Sequence, residues 1–134
     1  MARAPMIVVP GAGRTYAMGP LRAVFKADCD ETADGYSVSE WWLEPHTRGP
    51  GEHANPEEHV FYVIAGTLRF SLDGEWSELG AGGYVIIPGG VLHDFENRSE
   101  SRAGFISINV PGGFEDRMPA IADALSAEDL TIQP

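Results

Sequence analysis

Residues 82–97, GGYVIIPGGVLHDFEN, decide the fold of this chain. The segment holds an apolar run at 84–87, a Pro-Gly-Gly turn at 88–90, and then His93 at the entry to a further apolar stretch. Upstream, His53, Asn55 and His59 lie in a turn-rich segment that leads into the apolar run 60–64. Both groups contain residue types that bind metals, and each is attached to a strand-like run. This arrangement predicts a metal site inside a β-barrel.

The remaining sequence is typical of many short strands joined by turns, since 16 glycines and 10 prolines are spread along the chain. Residues 67–72 alternate in polarity, and the Asp73-Gly74 pair predicts a two-residue hairpin turn. Strands are predicted at 6–9, 21–27, 36–44, 59–65, 67–72, 76–79, 84–87, 92–96 and 104–110. Short strands at this spacing indicate an all-β sandwich or barrel.

Only the C-terminal region has helical periodicity. Phe114, Met118, Ile121, Ala122 and Leu125 recur at helical spacing, which predicts a short amphipathic helix over about residues 114–126 that packs on the barrel. No repeat or low-complexity linker interrupts the 134 residues. We therefore predict one domain over 1–134, with a barrel core from about residue 20 to about 111.

Composition excludes several functions. A net charge of −11 disfavours nucleic acid as a partner, and no basic amphipathic stretch indicates binding to a membrane. The apolar run 6–9 is too short for a signal peptide, and a single cysteine fits a reducing compartment, so the predicted location is cytoplasmic. That cysteine, Cys29, lies among acidic residues and lacks the cationic neighbours that activate a thiolate.

The segment 82–97 resembles the second motif of the cupin family. That motif reads Gly, five residues, Pro-x-Gly, two residues, His, three residues, Asn, and the chain matches it at Gly82, Pro88, Gly90, His93 and Asn97. The family's first motif reads His-x-His, three or four residues, Glu, six residues, Gly.

The upstream segment keeps the spacing of the first motif but changes two ligand types. His53 and Gly66 match the motif, whereas Asn55 stands in place of the second histidine and His59 in place of the glutamate. The resemblance implies a small single-domain cupin with the all-β, double-stranded β-helix or jelly-roll barrel and a short C-terminal helix.

The resemblance also implies a ligand set. His53, His59 and His93 would bind one divalent transition metal per chain (Fe, Ni, Cu, Zn or Mn), with Asn55 as a weak ligand, a hydrogen-bond partner or a non-ligand. A one-residue shift in the turn would bring Glu58 to the metal instead of His59. Glu57 and Glu58 are both candidate general bases, whereas His46 matches no ligand position.

In a cupin barrel, alternate strand residues line the cavity. The period of two places Trp41 and Trp42 on opposite faces of their strand. The candidate lining residues are Phe61 or Tyr62, Val63, Phe70, Ile86, Phe95 and Ile106, with the register left open.

The implied function is a metal-dependent enzyme acting on a small organic molecule. Resemblance to quercetinase-like and three-histidine diketone-cleaving cupins favours a dioxygenase. The alternatives are a non-redox lyase, isomerase or polyketide cyclase, and a metal-free barrel that binds a small molecule. The resemblance further implies a homodimer formed through barrel edges, with the strand predicted at 6–9 exchanged or paired across the interface.

Overall fold

Two antiparallel sheets enclose the core of this protein. The structure is a computed structural model that describes residues 3–133. The strands are β1 (Arg14–Met18), β2 (Leu21–Ala27), β3 (Ser37–Leu43), β4 (Thr47–Arg48), β5 (Glu58–Ala65), β6 (Thr67–Leu72), β7 (Glu75–Gly80), β8 (Tyr84–Ile87), β9 (His93–Asn97) and β10 (Ala103–Val110). A six-stranded sheet has the order β1-β2-β3-β10-β5-β8, and a four-stranded sheet has the order β4-β9-β6-β7. The non-sequential strand order is typical of a jelly roll.

Within residues 3–133, helical structure is limited to three short segments. These are 3-10 helices at Cys29–Glu31 and Phe114–Arg117 and an α-helix, α1, at Met118–Ser126. The 3-10 helix at Phe114–Arg117 leads directly into α1, and Pro119 lies in the first turn of α1, where its missing N–H leaves no hydrogen bond unmade. The apolar side of α1 reaches the core through the buried side chains of Met118 and Leu125.

Aromatic side chains from both sheets form the centre of the core. Phe105 on β10 is fully buried, and its ring centroid lies 4.7 Å from that of Phe61 and 5.0 Å from that of Phe95. Trp41 packs parallel to Phe105 with centroids 6.4 Å apart. Because β3, β5 and β10 belong to one sheet and β9 to the other, this cluster joins the two sheets.

The all-β fold with a short C-terminal helix is confirmed, but the strand predicted at 6–9 is wrong. Residues 3–9 form no strand, and Ile7 is 93% exposed. The four apolar residues stand between Pro5 and Pro10. Neither proline has a backbone N–H to donate to a neighbouring strand. The four residues between them are therefore too short a run to pair within this chain.

Two strands were not predicted from the sequence. The polar, glycine-flanked residues of β1 pair along their whole length with β2, and the two residues of β4 pair with β9. Both elements depend on a neighbouring strand for their conformation, so local periodicity gives them no signal.

The outer face of the six-stranded sheet carries an apolar patch. Tyr62 faces Tyr84 across β5 and β8, and Val60 faces Ile86 beside them. Tyr62, Tyr84 and Ile86 are each about half exposed. The outer apolar patch, as we define it, comprises Val60, Tyr62, Tyr84, Ile86, Ile106 and Ile108.

No helix among residues 3–133 is long and apolar enough to cross a membrane.

Candidate metal centre and cavity

A backbone bridge holds His53 and His93 side by side. The N–H of His53 donates to the carbonyl of His93 at 3.0 Å, and the N–H of His93 donates to the carbonyl of His53 at 2.8 Å. Residues paired in this way project their side chains to the same face, and the two ring centroids are 4.3 Å apart. Histidines that lie 40 positions apart in the sequence are thus brought together by main-chain pairing rather than by side-chain contact alone.

The turn of the second motif packs directly against the turn of the first. A Cβ added at Gly89 would lie 2.3 Å from the carbonyl oxygen of Pro56, a distance that no side chain tolerates. The N–H of Gly90, whose φ is +85°, donates to the carbonyl of Asn55 at 2.8 Å. The glycines of the Pro-Gly-Gly turn therefore permit the close approach that brings the two histidine-bearing segments together.

His53 and His93 share one tautomer, in which Nε2 can bind a metal. Nδ1 of His53 donates to the carbonyl of Gly51 at 2.7 Å, and Nδ1 of His93 donates to the carbonyl of Val91 at 2.9 Å. A carbonyl only accepts, so Nδ1 carries the proton in both rings and Nε2 is left with its lone pair. Bonds of this type orient the imidazoles of metal sites.

His93 is kept neutral at physiological pH. Burial lowers the pKa of its imidazole from 6.5 to about 4, because the ring is 99% removed from solvent and a charged ring would be poorly solvated there. Neutral imidazole is the form that binds a metal ion. The side chain of Asn55 lies beside it, with Nδ2 3.4 Å from Nε2 of His93.

His59 has a different partner. Its Nε2 donates to Oε1 of Glu57 at 3.0 Å, and the guanidinium of Arg117 donates to the same oxygen. Burial raises the pKa of Glu57, but the hydrogen bonds from His59 and Arg117 outweigh it and the net pKa is lowered. Burial lowers the pKa of His59, so the pair consists of a neutral imidazole and a carboxylate.

The three predicted histidine ligands lie in one region but do not converge on one point. The ring of His59 lies 5.6 Å from that of His93, centroid to centroid. The nitrogen atoms of His53, His59 and His93 do not all lie within 4.8 Å of one another. Nitrogens bound to one ion at about 2.1 Å cannot be farther apart than about 4.2 Å. The residues therefore fit a metal held by His53 and His93, with His59 next to it.

One group of acidic side chains does have metal-like spacing among residues 3–133, and it lies elsewhere. It comprises Asp28, Asp30 and Glu31. Arg14 pairs with Asp28 at 2.7 Å and also with Glu31. The arginine already neutralises part of this cluster, which we interpret as a surface ion-pair network.

Glu58 and His46 both lie away from the candidate metal centre. Glu58, predicted as a general base and as an alternative ligand to His59, is exposed on the outer face of β5. Strand alternation explains the correction, because the neighbour of an inward-facing residue must face outward. His46 lies in a loop, where Nε2 contacts Glu100 at 3.1 Å.

The two histidines open onto a cavity of about 360 Å³ with largely apolar walls. Five aromatic side chains and two helix residues form the apolar part of the wall: Trp41, Phe61, Phe95, Phe105, Phe114, Ile121 and Leu125. Trp42 lies on the opposite face of β3, under the guanidinium of Arg102, so the predicted division of the two tryptophans is confirmed. Of the predicted lining residues, Phe61 and Phe95 do line the cavity, whereas Val63 and Phe70 are buried in the core without lining it. The predictions of Ile86 and Ile106 are wrong, because these residues lie with Tyr62 in the outer apolar patch.

Arg117 was missed by sequence reasoning. It lines the cavity, its guanidinium packs 4.9 Å from the ring centre of Phe114, and it pairs with Glu57, which is 60 positions earlier. Nothing local in the sequence indicates this contact. The only available signal was the amphipathic pattern of the C-terminal helix, which indicates packing on the barrel but not where.

Cys29 is a free, half-buried thiol. A hydrogen bond to Glu115 raises the pKa of its thiol to about 11, since the nearby carboxylate disfavours a thiolate.

The sequence of residues 39–109 matches the family described as Cupin domain. The chain belongs to the cupin family. The matched range includes both histidine-bearing segments. It also includes strands β4 to β9 completely and most of β3 and β10. A comparison with curated proteins finds no match.

Solved structures of other cupins have the same fold at low sequence identity. An RmlC-like cupin from Shewanella frigidimarina has a TM-score of 0.69 and 18% identity, and the alignment covers 87% of this chain and 99% of that one. KdgF from Halomonas sp. has a TM-score of 0.73 and 14% identity, covering 84% and 99%. Bacillus subtilis oxalate decarboxylase, described with Mn(II) centres, has a TM-score of 0.68 and 19% identity, covering 78% of this cupin but 29% of that chain.

Proposed function

We propose that this cupin is a metal-dependent dioxygenase that acts on a small organic molecule. The observation that carries the proposal is the pair His53 and His93, whose Nε2 atoms carry no proton and whose residues line an aromatic-walled cavity. The backbone bridge and the two Nδ1 hydrogen bonds hold these rings before any ion binds. Preformed imidazoles in an apolar cavity are typical of enzyme metal sites that take an organic substrate.

His53 and His93 would hold the ion, with Asn55 as the neighbouring polar side chain. Both imidazoles are uncharged ligands, so a divalent ion keeps its full +2 charge. A redox-active ion would supply the electron transfer that dioxygen chemistry requires. Nitrogen ligands suit Fe, Ni, Cu and Zn, and the choice among them depends on geometry and availability as well as affinity.

The cavity defines the kind of substrate. Its volume of about 360 Å³ accommodates a small molecule, and its aromatic walls favour an aromatic or β-dicarbonyl compound. The side chains of Trp41 and Phe105, both buried and both part of the cavity wall, provide flat surfaces against which such a molecule can pack.

Oxygen consumption tests this proposal. Protein loaded with Fe(II) or Cu(II) is expected to consume one O₂ per substrate with at least one member of a panel of β-diketones and flavonols. The His93→Gln variant, loaded in the same way, is expected to show background consumption only. Turnover of the same substrate at an equal rate without O₂ would contradict a dioxygenase.

A non-redox lyase or isomerase is the second candidate, and the contact between Glu57 and His59 favours it. A buried carboxylate paired with an imidazole is a common arrangement for proton transfer. One similar structure is named an oxalate decarboxylase. Activity with Zn under anaerobic conditions would select this candidate over the first.

We also propose that the cupin forms a homodimer through the outer apolar patch. The patch runs across β10, β5 and β8, whereas the whole chain carries a net charge of −11. Two negatively charged copies repel each other over most of their surface. The uncharged outer apolar patch is therefore where a second copy can bind with the least repulsion. The exposed apolar side chains of Met6, Ile7 and Val9 could be covered in the same association.

The expected molar mass is therefore twice the chain mass of 14.5 kDa, measured by light scattering after gel filtration. Ile86→Glu is expected to yield a monomer at the same concentration, because two buried carboxylates would face an apolar surface. Trp76→Glu on β7 in the other sheet is the matched control and should leave the dimer intact. A monomeric wild type, or a dimeric Ile86→Glu variant, would contradict this interface.

A further inference from the structure

We infer that Glu57 and Arg117 hold His59 outside the metal site, so that Nδ1 of His59 accepts a hydrogen bond from the substrate in the cavity. The inference rests on the proposed function for the position of the metal, and it assigns His59 a different task from the one its motif position implies. It also restricts the substrate to molecules with an O–H or N–H donor.

The first support is that His59 has the opposite tautomer to its neighbours. Nδ1 carries the proton in His53 and His93, as their bonds to backbone carbonyls require. Nε2 carries it in His59, because the carboxylate of Glu57 can only accept. The nitrogen that would bind a metal in the other two rings is therefore occupied in His59.

The second support is the position of the other nitrogen. Nδ1 of His59 has no hydrogen-bond partner among residues 3–133, although the residue is 96% buried. The ring lines the cavity and packs edge-to-face against Phe114, with centroids 5.3 Å apart. Because the three histidines do not converge, Nδ1 of His59 remains an acceptor without a protein partner on a residue that lines the cavity, where a ligand can donate to it.

The third support is that the carboxylate is itself fixed. Glu57 is buried, and one of its oxygens accepts from both His59 and Arg117. The guanidinium comes from the 3-10 helix before α1 and reaches within 3.5 Å of Oδ1 of Asn55. Arg117 is thus a positioning residue, because it keeps Glu57 charged and in place and acts on His59 only through that carboxylate.

These contacts define the ligand chemistry. Nδ1 accepts, so the matching group is a donor such as a phenol or enol hydroxyl or an amide N–H. The surrounding apolar wall accepts the carbon skeleton. An ether or ester analogue of the same shape cannot donate to Nδ1 of His59 and should bind more weakly.

Metal content tests the first half of the inference without any activity assay. His59→Gln is expected to retain metal within about twofold of wild type, whereas His93→Gln should lose at least about tenfold. Elemental analysis of proteins reconstituted with Zn and desalted gives the comparison, with circular dichroism to confirm folding. Equal loss in both variants would overturn the inference, because His59 would then be a ligand.

Nitrogen NMR tests the second half on chelated protein, so its result does not depend on whether the metal site exists. Long-range ¹H–¹⁵N spectra of wild type should show His59 protonated at Nε2. Glu57→Leu and Arg117→Met should weaken that preference, whereas Glu58→Leu, the matched change on the outer face, should not. Addition of 2-naphthol should shift the Nδ1 resonance of His59, and 2-methoxynaphthalene should not.

The outcomes separate the two proposals. Metal-free wild type with the expected His59 tautomer and naphthol shift would overturn the proposed function alone. A proton on Nδ1 of His59, or no response to 2-naphthol at its solubility limit, would overturn the inference whatever the metal content.

Discussion

His93→Ala is expected to reduce the metal content of this cupin from near one ion per chain to less than about a tenth. The substitution removes one of two preformed imidazoles, and His53 alone is too weak a ligand to retain an ion through desalting. Elemental analysis of tag-free protein purified without chelator makes the measurement. Asn55→Ala should weaken binding only modestly, since an amide is a weak ligand.

Because His93 is 1% exposed and packs against His53 and Phe61, its replacement by alanine could also unfold the protein. A control must therefore distinguish loss of the metal ligand from loss of the fold. His93→Gln keeps most of the volume and a polar group, and it should lose the metal while keeping the wild-type circular dichroism spectrum. Full occupancy in both His93 variants would mean that the ion is bound elsewhere, and the proposed centre would be wrong.

Phe105→Ala is expected to lower the free energy of unfolding by about 3–5 kcal/mol, the largest stability change of any single truncation we consider. Its ring is fully buried and contacts aromatic side chains from both sheets. Removing the ring leaves an unfilled space next to an existing cavity. It also removes the packing contact between Phe105 on β10 and Phe95 on β9, which joins the two sheets. Urea unfolding followed by circular dichroism, with the metal removed from both proteins, gives the difference.

Trp76→Ala is the matched aromatic truncation at the surface. Trp76 is 38% exposed and contacts the guanidinium of Arg69, so its loss should cost about 1 kcal/mol or less. If Phe105→Ala cost no more than Trp76→Ala, the aromatic cluster would not be the structural core that joins the sheets.

Asn97 shows that a motif residue can be structural rather than functional. It is fully buried at the end of β9, and its Nδ2 lies within hydrogen-bond distance of the carbonyls of Leu43, Glu44 and Ser101. Its Oδ1 accepts from the backbone and hydroxyl of Ser99. The final asparagine of the motif therefore closes the loop after β9 and touches neither the cavity nor the histidines.

Most strands could be predicted because their side-chain alternation is local. The predictions at 67–72 and 84–87 have the observed bounds, and the Asp73-Gly74 turn joins β6 to β7. Prediction failed where conformation depends on a partner. Residues 6–9 are apolar but lack a strand to pair with, and β1 is polar yet forms because β2 is adjacent.

The candidate site was predictable only as a set of residue types. Motif spacing indicated that His53 and His93 act together, and the structure brings them into contact. Spacing could not indicate that Glu57 points inward and Glu58 outward, because the two are neighbours of the same chemical type. The strand register settles that difference.

The sequence by itself determined the cupin fold and the pair of segments that meet at its centre, because alternation, turn glycines and motif spacing are all short-range properties. Only the tertiary structure decided what each histidine does. A contact between Glu57 and Arg117, 60 positions apart, sets the hydrogen bonding of His59. Only chain folding brings these two residues together, and the contact is selected because a buried carboxylate without a donor would be destabilising.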